Sequence, residues 1–221
     1  ANSYTLNYDA NGGTGNIVGL EAKSGETVKV ADNSFEKVGY CFTGWKYGDK
    51  IYNEGDKVEF YAEEDEKIVF VAQWEAILAG GGTSEDPYKV TSYEDLVKVA
   101  TMTRGGSAYQ TAYYALTADI DCKKQNLKPI GDDRYPFRGI FDGRGYVISN
   151  AVFVADGGYQ GLFGKVDGDG VLKNFGVKKY SMNGDGALIS APVAGVYASS
   201  QPIENVFAGG VTDIAITSYR S

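Results

Sequence analysis

The sequence has no histidine among its 221 residues, and it has only two cysteines. The absence of histidine excludes Ser-His-Asp and Cys-His catalytic arrangements and removes the commonest zinc ligand. Cys41 and Cys122 are too few for a disulfide framework, and a disulfide between them is not favoured. No apolar run approaches the roughly 18 residues of a membrane-spanning helix. We therefore expect no histidine-based catalysis, no cofactor and no membrane insertion.

Positive charge is also in short supply. The chain has 21 Lys and Arg residues against 29 Asp and Glu residues, so its formal net charge is -8. Proteins that bind nucleic acid need a basic surface that neutralises phosphates. Adhesion to anionic lipid has the same requirement. The charge therefore predicts no nucleic-acid partner and no anionic membrane surface as a partner.

Aromatic residues and glycine are plentiful, with 17 Tyr, 10 Phe and 30 Gly. This composition is typical of many short strands joined by tight turns. Residues 3–9 alternate, with Tyr4, Leu6 and Tyr8 on one face, and residues 67–74 alternate in the same way. Such alternation predicts half-buried strands. The fold class expected is mainly β.

The glycine-rich stretch at residues 78–83 is the best candidate for a linker. It divides the chain into a domain at 1–77 and a domain at 84–221. One helix is predicted at about 93–103, with Thr91 or Ser92 as its N-cap and Leu96, Val97 and Ala100 on one face with Tyr93. We expect this helix to cover the open N-terminal end of the second domain.

An internal repeat begins after residue 113. Residues 148–150, 172–174 and 203–205 share the pattern apolar-x-Asn, and their sequence numbers differ by 24 and then by 31. Residues 161–166 recur loosely as 192–197, again at an offset of 31. Repeats of this size favour a β-helix. In a continuous strand Asn150, Asn174 and Asn205 point inward and form an amide ladder. The alternative places each asparagine at a solvent-facing bend with positive φ.

Residues 1–77 resemble the Listeria–Bacteroides repeat, the B-repeat of internalin-type surface proteins. The resemblance rests on residues 4–13 (YTLNYDANGG), 39–45 (GYCFTGW), Tyr52, 55–56 (GD) and 72–74 (AQW), in that order. Cys41 departs from the small polar residue usual in the family. The resemblance implies a small β-grasp-like module on secreted proteins, without catalysis.

Residues 80–221 resemble the leader and first repeats of GLUG-type β-helical surface proteins. The matching segments are 80–88 (GGGTSEDPY), 93–96 (YEDL), 116–121 (LTADID), 129–131 (PIG), 137–148 (FRGIFDGRGYVI) and 161–164 (GLFG). The pattern weakens after Ser181. The resemblance implies the N-terminal part of a right-handed parallel β-helix capped by one short helix, with further repeats expected beyond residue 221.

Acidic residues offer two candidate calcium sites. Asp119, Asp121 and Asp142 carry suitable oxygens, but they also suit turns in which a carboxylate accepts backbone amide hydrogen bonds. Residues 166–170 (VDGDG) look like part of a calcium loop but lack the ligand spacing and closing Glu of an EF-hand. The turn interpretation is favoured at both places.

Two further interpretations concern sugars. Trp45, Tyr47, Tyr52 and Tyr61 could stack on a sugar, but the favoured interpretation places Trp45 and Trp74 in the core, because a small domain needs large apolar side chains. Arg138, Arg144 and Lys165 are available as bases for a polysaccharide lyase, but no carboxylate pair accompanies them, and Arg138 and Arg144 belong to the leader motif. The glycine pairs 105–106 and 157–158 lack the lysine of a phosphate loop.

The sequence therefore predicts a non-catalytic, structural and adhesive module of a secreted bacterial cell-surface protein. Its expected partner is a host or extracellular protein or glycan. The alternative is the carbohydrate-binding accessory region of a larger exported polysaccharide-degrading enzyme. An exposed row of aromatic side chains would favour this alternative, and a featureless polar face would favour the first function.

Overall fold

The computed structural model describes residues 1–156, 158–185, 189–210 and 213–217. The protein is mainly β, with 47% strand and two helices among the described residues. The chain divides into two compact units, Ala1–Ile77 and Leu78–Ser221.

The first unit contains seven strands, and it contains no helix over residues 1–77, all of which the structure describes. The strands are β1 (Ser3–Asp9), β2 (Leu20–Lys23), β3 (Thr27–Lys29), β4 (Tyr40–Tyr47), β5 (Lys50–Tyr52), β6 (Lys57–Glu59) and β7 (Glu66–Ala76). Five of them form one sheet in the order β2-β1-β7-β4-β5, and β3 pairs with β6. The central pair, β1 and β7, is parallel, whereas the pairs β1–β2, β4–β7 and β4–β5 are antiparallel.

The core of this unit follows the predicted alternation of β1 and β7. Tyr4, Leu6, Ile68 and Phe70 are all 1% exposed or less. Trp45 is fully buried among them, and its indole N–H donates a hydrogen bond to the Ala31 carbonyl at 3.0 Å. The sequence interpretation of Trp45 as a core residue is confirmed.

The glycine-rich stretch 78–83 is hydrogen-bonded to the second unit. The Gly81 amide donates to the Asp86 carbonyl at 2.9 Å, and the Gly82 carbonyl accepts from the Tyr113 amide at 2.9 Å. Leu78 is 4% exposed. These bonds give the stretch an ordered place in the second unit, where the sequence suggested a linker.

The second unit has fifteen strands and both helices within its described residues. Its elements, in chain order, are β8 (Tyr88–Val90), α1 (Tyr93–Arg104), α2 (Ser107–Gln110), β9 (Tyr113–Leu116), β10 (Ile120–Asp121), β11 (Asn126–Leu127), β12 (Ile140–Asp142), β13 (Val147–Ser149), β14 (Val152–Phe153), β15 (Tyr159–Gln160), β16 (Phe163–Gly168), β17 (Val171–Lys178), β18 (Ser181–Asp185), β19 (Ile189–Ser190), β20 (Ala194–Ser199), β21 (Glu204–Gly209) and β22 (Asp213–Thr217).

These strands stack in parallel rows, each strand pairing with its equivalent in the next repeat. Row 1 contains β8, β9, β12 and the first parts of β17 and β21. Row 2 contains β10, β13 and the second parts of β17 and β21. Row 3 contains β11, β14, β18 and β22, and β16 pairs with β20 in a fourth row. Along row 1, Tyr88, Tyr114, Phe141 and Leu172 are successive partners, and their spacing in sequence number increases from each pair to the next.

The interior of the stack is apolar and largely aromatic. The Phe137 and Phe163 ring centroids lie 5.1 Å apart, and Phe141 contacts Phe163 at 5.3 Å and Phe175 at 5.4 Å. A Cβ on Gly143 would lie 2.1 Å from the Cβ of Phe175 in the next repeat. Glycine at this position therefore allows the two repeats to pack at strand spacing.

The predicted repeat is confirmed in part. Phe163 pairs with Ala194 and Lys173 pairs with Glu204, and both pairs have the longer of the two offsets seen in the sequence. The shorter offset is wrong, because Ile148 pairs with Val177 in row 2, whereas Leu172 lies in row 1. Ile148 and Leu172 lie in similar short sequences but in different rows, so the offset between them is not the length of a repeat.

Helix α1 begins after Ser92, whose side chain accepts a hydrogen bond from the Asp95 amide, and ends before Gly105, as predicted. A second, four-residue helix follows it. The buried face of α1 comprises Leu96, Val99, Ala100, Met102 and Thr103. Val97, expected on this face, is 38% exposed, because it lies about 100° around the helix from Leu96.

Polar contacts join both ends of α1 to the strand stack. The Tyr93 hydroxyl donates to the Asn126 carbonyl at 2.6 Å. At the other end, the Arg104 guanidinium pairs with Asp132 at 3.2 Å and with Asp156 at 2.8 Å. Burial alone would raise the pKa of Asp156, but the hydrogen bond and charge of Arg104 outweigh it and lower that pKa. The helix is therefore anchored to the first and second repeats.

Both cysteines are buried. Cys41 lies in the first unit and Cys122 in the second. Burial raises the pKa of the Cys122 thiol to about 12. This thiol is therefore neutral at physiological pH and is not poised for nucleophilic chemistry.

Candidate binding groove at a corner of the strand stack

A ladder of polar side chains runs along the corner between rows 1 and 2. Asn174 donates a hydrogen bond from Nδ2 to Asp142 Oδ1 at 3.1 Å, and Asn205 donates from Nδ2 to Asn174 Oδ1 at 3.1 Å. Each of the three residues comes from a different repeat, and each is at least partly exposed. We call this set the corner ladder.

The inward asparagine ladder predicted from the sequence is wrong. Asn174 and Asn205 have φ values of 59° and 52°, so the chain bends at each of them and the two-residue alternation of a strand is interrupted. Asn150 also has positive φ, at 55°, but it lies at the next corner, where its Nδ2 donates to Asp121 Oδ1 at 2.8 Å. The alternative interpretation, a bend with positive φ, is the correct one.

A buried amide does occur inside the stack, at a position that the sequence did not single out. Gln160 is 1% exposed, and its Nε2 donates to the Phe153 carbonyl at 2.9 Å. Its Oε1 accepts from Ser190 Oγ at 2.9 Å, and Ser190 is its partner in the next repeat. No spacing signal in the sequence distinguished Gln160 from an exposed glutamine.

The corner ladder forms one side of an open groove of about 520 Å³. The groove is lined by Asp142, Arg144, Gly145, Asn174, Phe175, Asn205 and Phe207. Phe207 is 47% exposed, which is high for a large aromatic side chain. A Cβ on Gly176 would lie 2.1 Å from the Phe207 ring, so the ring lies directly over this glycine of the preceding repeat. Lys178 Nζ lies 5.1 Å from the centroid of the ring.

Cations outnumber unpaired carboxylates at this groove. Among the described residues, the guanidinium of Arg144 and the ammonium of Lys178 have no carboxylate partner. Asp142, in contrast, accepts hydrogen bonds from the Arg144 amide and from Asn174, and lies 3.8 Å from Lys173 Nζ. Two positive charges at or near the groove are therefore available to an anionic ligand.

The two units differ strongly in charge. Residues 1–77 carry 7 Lys and 14 Asp or Glu, a net charge of -7, whereas residues 78–221 carry 14 Lys or Arg and 15 Asp or Glu, a net charge of -1. The acidic character of the chain therefore belongs almost entirely to the first unit.

A second, smaller groove of about 150 Å³ runs along the outer surface of row 1. Arg144 and Asp142 line both grooves, and the aromatic ring of Tyr113 lines the second. Arg144 therefore stands where the two grooves meet, which places its charge within reach of a ligand in either one.

Replacing Asn174 by Ala is expected to lower the free energy of unfolding by about 1–2 kcal/mol, through loss of two ladder hydrogen bonds and through a positive φ that Ala disfavours. Asn205→Ala should cost less, because Asn205 makes only one of these bonds. Asn174→Gly should also cost less, since Gly tolerates positive φ. Urea melts will measure all three variants; equal losses for Ala and Gly would contradict the strain argument.

Each of the three acidic candidates accepts a hydrogen bond from a backbone amide. Asp119 accepts a hydrogen bond from the Val147 amide at 2.8 Å, Asp121 from the Lys123 amide at 2.9 Å, and Asp142 from the Arg144 amide at 2.9 Å. Within the described part of the chain, no group of three His, Cys, Asp or Glu side chains is arranged to hold a metal ion. The turn interpretation therefore fits Asp121 and Asp142, whereas Asp119 accepts its bond from strand β13 of the next repeat.

Residues 166–170 comprise the end of β16 and the turn that connects it to β17. Gly168 has a φ of 61°, and the Gly170 amide donates to the Asp167 carbonyl at 3.1 Å. The Asp167 carboxylate pairs with Arg138 at 2.7 Å. This ion pair neutralises the carboxylate and holds the Arg138 side chain in place, which is a structural role.

The aromatic residues considered for a sugar platform do not share one exposed face. Trp45 is fully buried, Tyr47 and Tyr52 pack against the same core, and Tyr61 is 84% exposed. Trp74 is half-buried, and its indole N–H donates to the Ala10 carbonyl at 2.8 Å. The exposed aromatic ring beside polar groups is instead Phe207, which the sequence analysis missed because a lone Phe in a strand resembles a core residue.

The candidate lyase bases are mostly committed elsewhere. Lys165 pairs with Asp133 at 3.0 Å, and this hydrogen bond raises the pKa of Lys165, which keeps it protonated. Tyr159 donates to the same carboxylate at 2.8 Å.

The glycine pairs have no phosphate-binding role in the structure that is described. Gly105 and Gly106 cap the two helices, and Gly157 lies outside the described residues. Neither described helix has the length and apolar composition needed to span a membrane.

Comparison with known proteins gives partial matches. Halomucin from Haloquadratum walsbyi is 32% identical over 151 residues, which is 61% of this chain and 2% of that protein. A protein named "Putative Gly-rich membrane protein" from Evansella cellulosilytica is 34% identical over 114 residues, 50% of this chain and 12% of that protein. No solved structure matches the chain significantly. Residues 4–73, nearly all of the first unit, match the sequence model of the Listeria-Bacteroides repeat domain.

Proposed function

We propose that this chain is a non-catalytic module of a secreted cell-surface repeat protein, in which it has a structural and adhesive role. The match of residues 4–73 to a repeat domain supports this proposal, as do the names of the two relatives. The chain spans only 2% and 12% of the lengths of these relatives. A much longer protein, with further repeats of the same chain, is consistent with that small share.

The proposal also names the fold of each unit. The parallel β1–β7 pair flanked by antiparallel strands supports a β-grasp-like first unit. The parallel rows of the second unit support a right-handed parallel β-helix with GLUG-like repeats, capped by α1. In such a stack each repeat adds the same corner about 4.8 Å further along the axis.

The observation that carries the proposal is the continuous outer surface built by these rows. The corner ladder joins three successive repeats by side-chain hydrogen bonds, and row 1 continues through five strands. A surface that extends by repetition is suited to projecting and to multivalent contact, because weak contacts of neighbouring repeats add in avidity. The extracellular partner proposed is a protein or glycan.

The absence of catalysis is part of the same proposal. Acid–base catalysis would have to come from carboxylates, Lys or Tyr, since the sequence has no histidine. Asp119, Asp121 and Asp142 accept hydrogen bonds from backbone amides, and Lys165 is kept protonated by Asp133. These residues are therefore used in structural contacts, and they are not arranged as the neighbouring acid, base and nucleophile that a catalytic site requires.

Beads coated with the purified chain will test the proposal under flow. We expect them to be retained on surfaces carrying extracellular-matrix proteins or mucin, and not on bare surfaces, while beads coated with an unrelated acidic protein of similar size wash off. The soluble chain should release no reducing ends and no unsaturated products from common polysaccharides. Release of such products would overturn the non-catalytic assignment, and failure of retention on every coated surface would overturn the adhesive one.

A second candidate function is a carbohydrate-binding accessory region of a larger exported enzyme. The groove beside Phe207 favours it, because it combines an exposed aromatic face with amide groups. A row of exposed aromatic residues, which would favour it more strongly, is absent among the described residues of rows 1 and 2. We therefore retain the structural and adhesive role as the main proposal.

A further inference from the structure

We propose that the groove at the corner ladder binds a glycan that carries a carboxylate group, with Arg144 as the carboxylate ligand and Phe207 as the surface on which a sugar ring stacks. This inference rests on the proposed function and adds a ligand class and a place to it. Three features of the groove support it: the unpaired guanidinium of Arg144, the exposed ring of Phe207 and the amide groups of the corner ladder.

The charge identifies the acidic group of the ligand. Arg104 and Arg138 are both neutralised by carboxylates within the stack, at distances of 2.7–3.2 Å. Arg144 is exposed, and among the described residues its guanidinium has no such partner. A guanidinium presents parallel N–H donors that match the two oxygens of a carboxylate. Lys178, whose Nζ lies 5.1 Å from the centroid of the Phe207 ring, adds a second positive charge near the groove.

The ring identifies the second part of the ligand. Phe207 is 47% exposed, although it lies over a glycine that leaves room for it. The face of an aromatic ring is electron-rich and apolar, so it suits the apolar C–H face of a sugar while the sugar hydroxyls stay hydrated or hydrogen-bonded. A small inorganic anion or acetate would leave this surface uncovered.

The corner ladder supplies groups that match hydroxyls. Asn174 and Asn205 each use one hydrogen of the side-chain amide within the ladder, and among the described contacts the second hydrogen of each amide is unused. Such an N–H can donate a hydrogen bond to the oxygen of a sugar hydroxyl. The ladder also holds these groups in place, because each amide is fixed by the residue of the preceding repeat. The groups of the groove are therefore preorganised.

The volume is consistent with one or two sugar rings. The groove of about 520 Å³ falls within the range of small-ligand sites, roughly 300–1,000 Å³. The second groove meets it at Arg144 and carries Tyr113 on its wall, so a longer chain can continue along row 1. An oligosaccharide of uronic acids satisfies the charge, the ring and the hydroxyl requirements together.

The test compares trigalacturonate with its fully methyl-esterified form, which has the same rings but no charge. Titration calorimetry and chemical-shift mapping on the intact 221-residue chain should show binding of trigalacturonate at the groove, weakened by salt, and at least about tenfold weaker binding of the ester. Arg144→Gln and Phe207→Ala should each weaken trigalacturonate binding by about tenfold or more.

Arg134→Gln is the matched control, since it removes the same charge from an exposed arginine that does not line the groove. It should leave the affinity within about twofold, and circular dichroism should show that all three variants fold. Equal affinity of the acid and its ester, no effect of Arg144→Gln, or displacement by acetate as effective as by trigalacturonate would overturn the proposal. Bead adhesion that persists without trigalacturonate binding would refute the groove and leave the adhesive function standing.

Discussion

Replacing Leu96 by Asp is expected to destabilise the second unit by about 3–5 kcal/mol, the scale of losing a large core side chain and leaving a buried charge unpaired. Leu96 is fully buried on the inner face of α1. An uncovered first repeat would expose apolar side chains and unpaired backbone groups. The capping helix is therefore expected to be as important for the stack as any of its strands.

Val97→Asp is the matched control, because it places the same charge one residue further along the same helix at a side chain that is 38% exposed. Its cost should stay within about 0.5 kcal/mol, as at other surface sites. Urea melts followed by far-UV circular dichroism will measure both variants. A loss of under about 0.5 kcal/mol for Leu96→Asp would show that the helix is not docked on the stack.

Tryptophan fluorescence adds a separate reporter for this experiment. Both tryptophans of the sequence, Trp45 and Trp74, lie in the first unit. If the two units unfold independently, Leu96→Asp should shift the transition seen by circular dichroism and leave the fluorescence transition in place. A matching shift of the fluorescence transition would show that the two units unfold together.

Replacing Trp45 by Ala is expected to cost the first unit about 3–5 kcal/mol, the usual range for removing a large aromatic side chain from a core. Trp45 is fully buried and contacts Tyr8, Phe35 and Phe42, whose ring centroids lie 4.7–5.8 Å away. Its removal also deprives the Ala31 carbonyl of a hydrogen bond. A unit of this size has a small free energy of unfolding, so the variant should be largely unfolded at moderate temperature.

Tyr61→Ala provides the comparison, because Tyr61 is 84% exposed and belongs to the same set of aromatic residues in the sequence. We expect a change of about 0.5 kcal/mol or less for this variant. The remaining Trp74 allows both melts to be followed by fluorescence. Similar losses for the two variants, or a neutral Trp45→Ala, would show that the indole does not anchor the core.

Local patterns in the sequence were sufficient to predict the regular elements. The alternation of Tyr4, Leu6 and Tyr8 predicted β1, and the capping signal at Thr91 or Ser92 predicted the start of α1. The match of residues 161–166 to 192–197 predicted the pairing of β16 with β20. These features depend on neighbours within a few residues, or on a repeat of constant length, and both are visible along one chain.

Sequence by itself therefore determined the β class, the position of α1 and the spacing between the last repeats. The tertiary structure decided which asparagines align, that Phe207 is exposed and that Gln160 is buried. The physical reason lies at the corners. A single residue with positive φ reverses the inward and outward alternation of everything that follows, and repeats of unequal length place similar sequences in different rows. Only the pairing between repeats reveals which side chains meet.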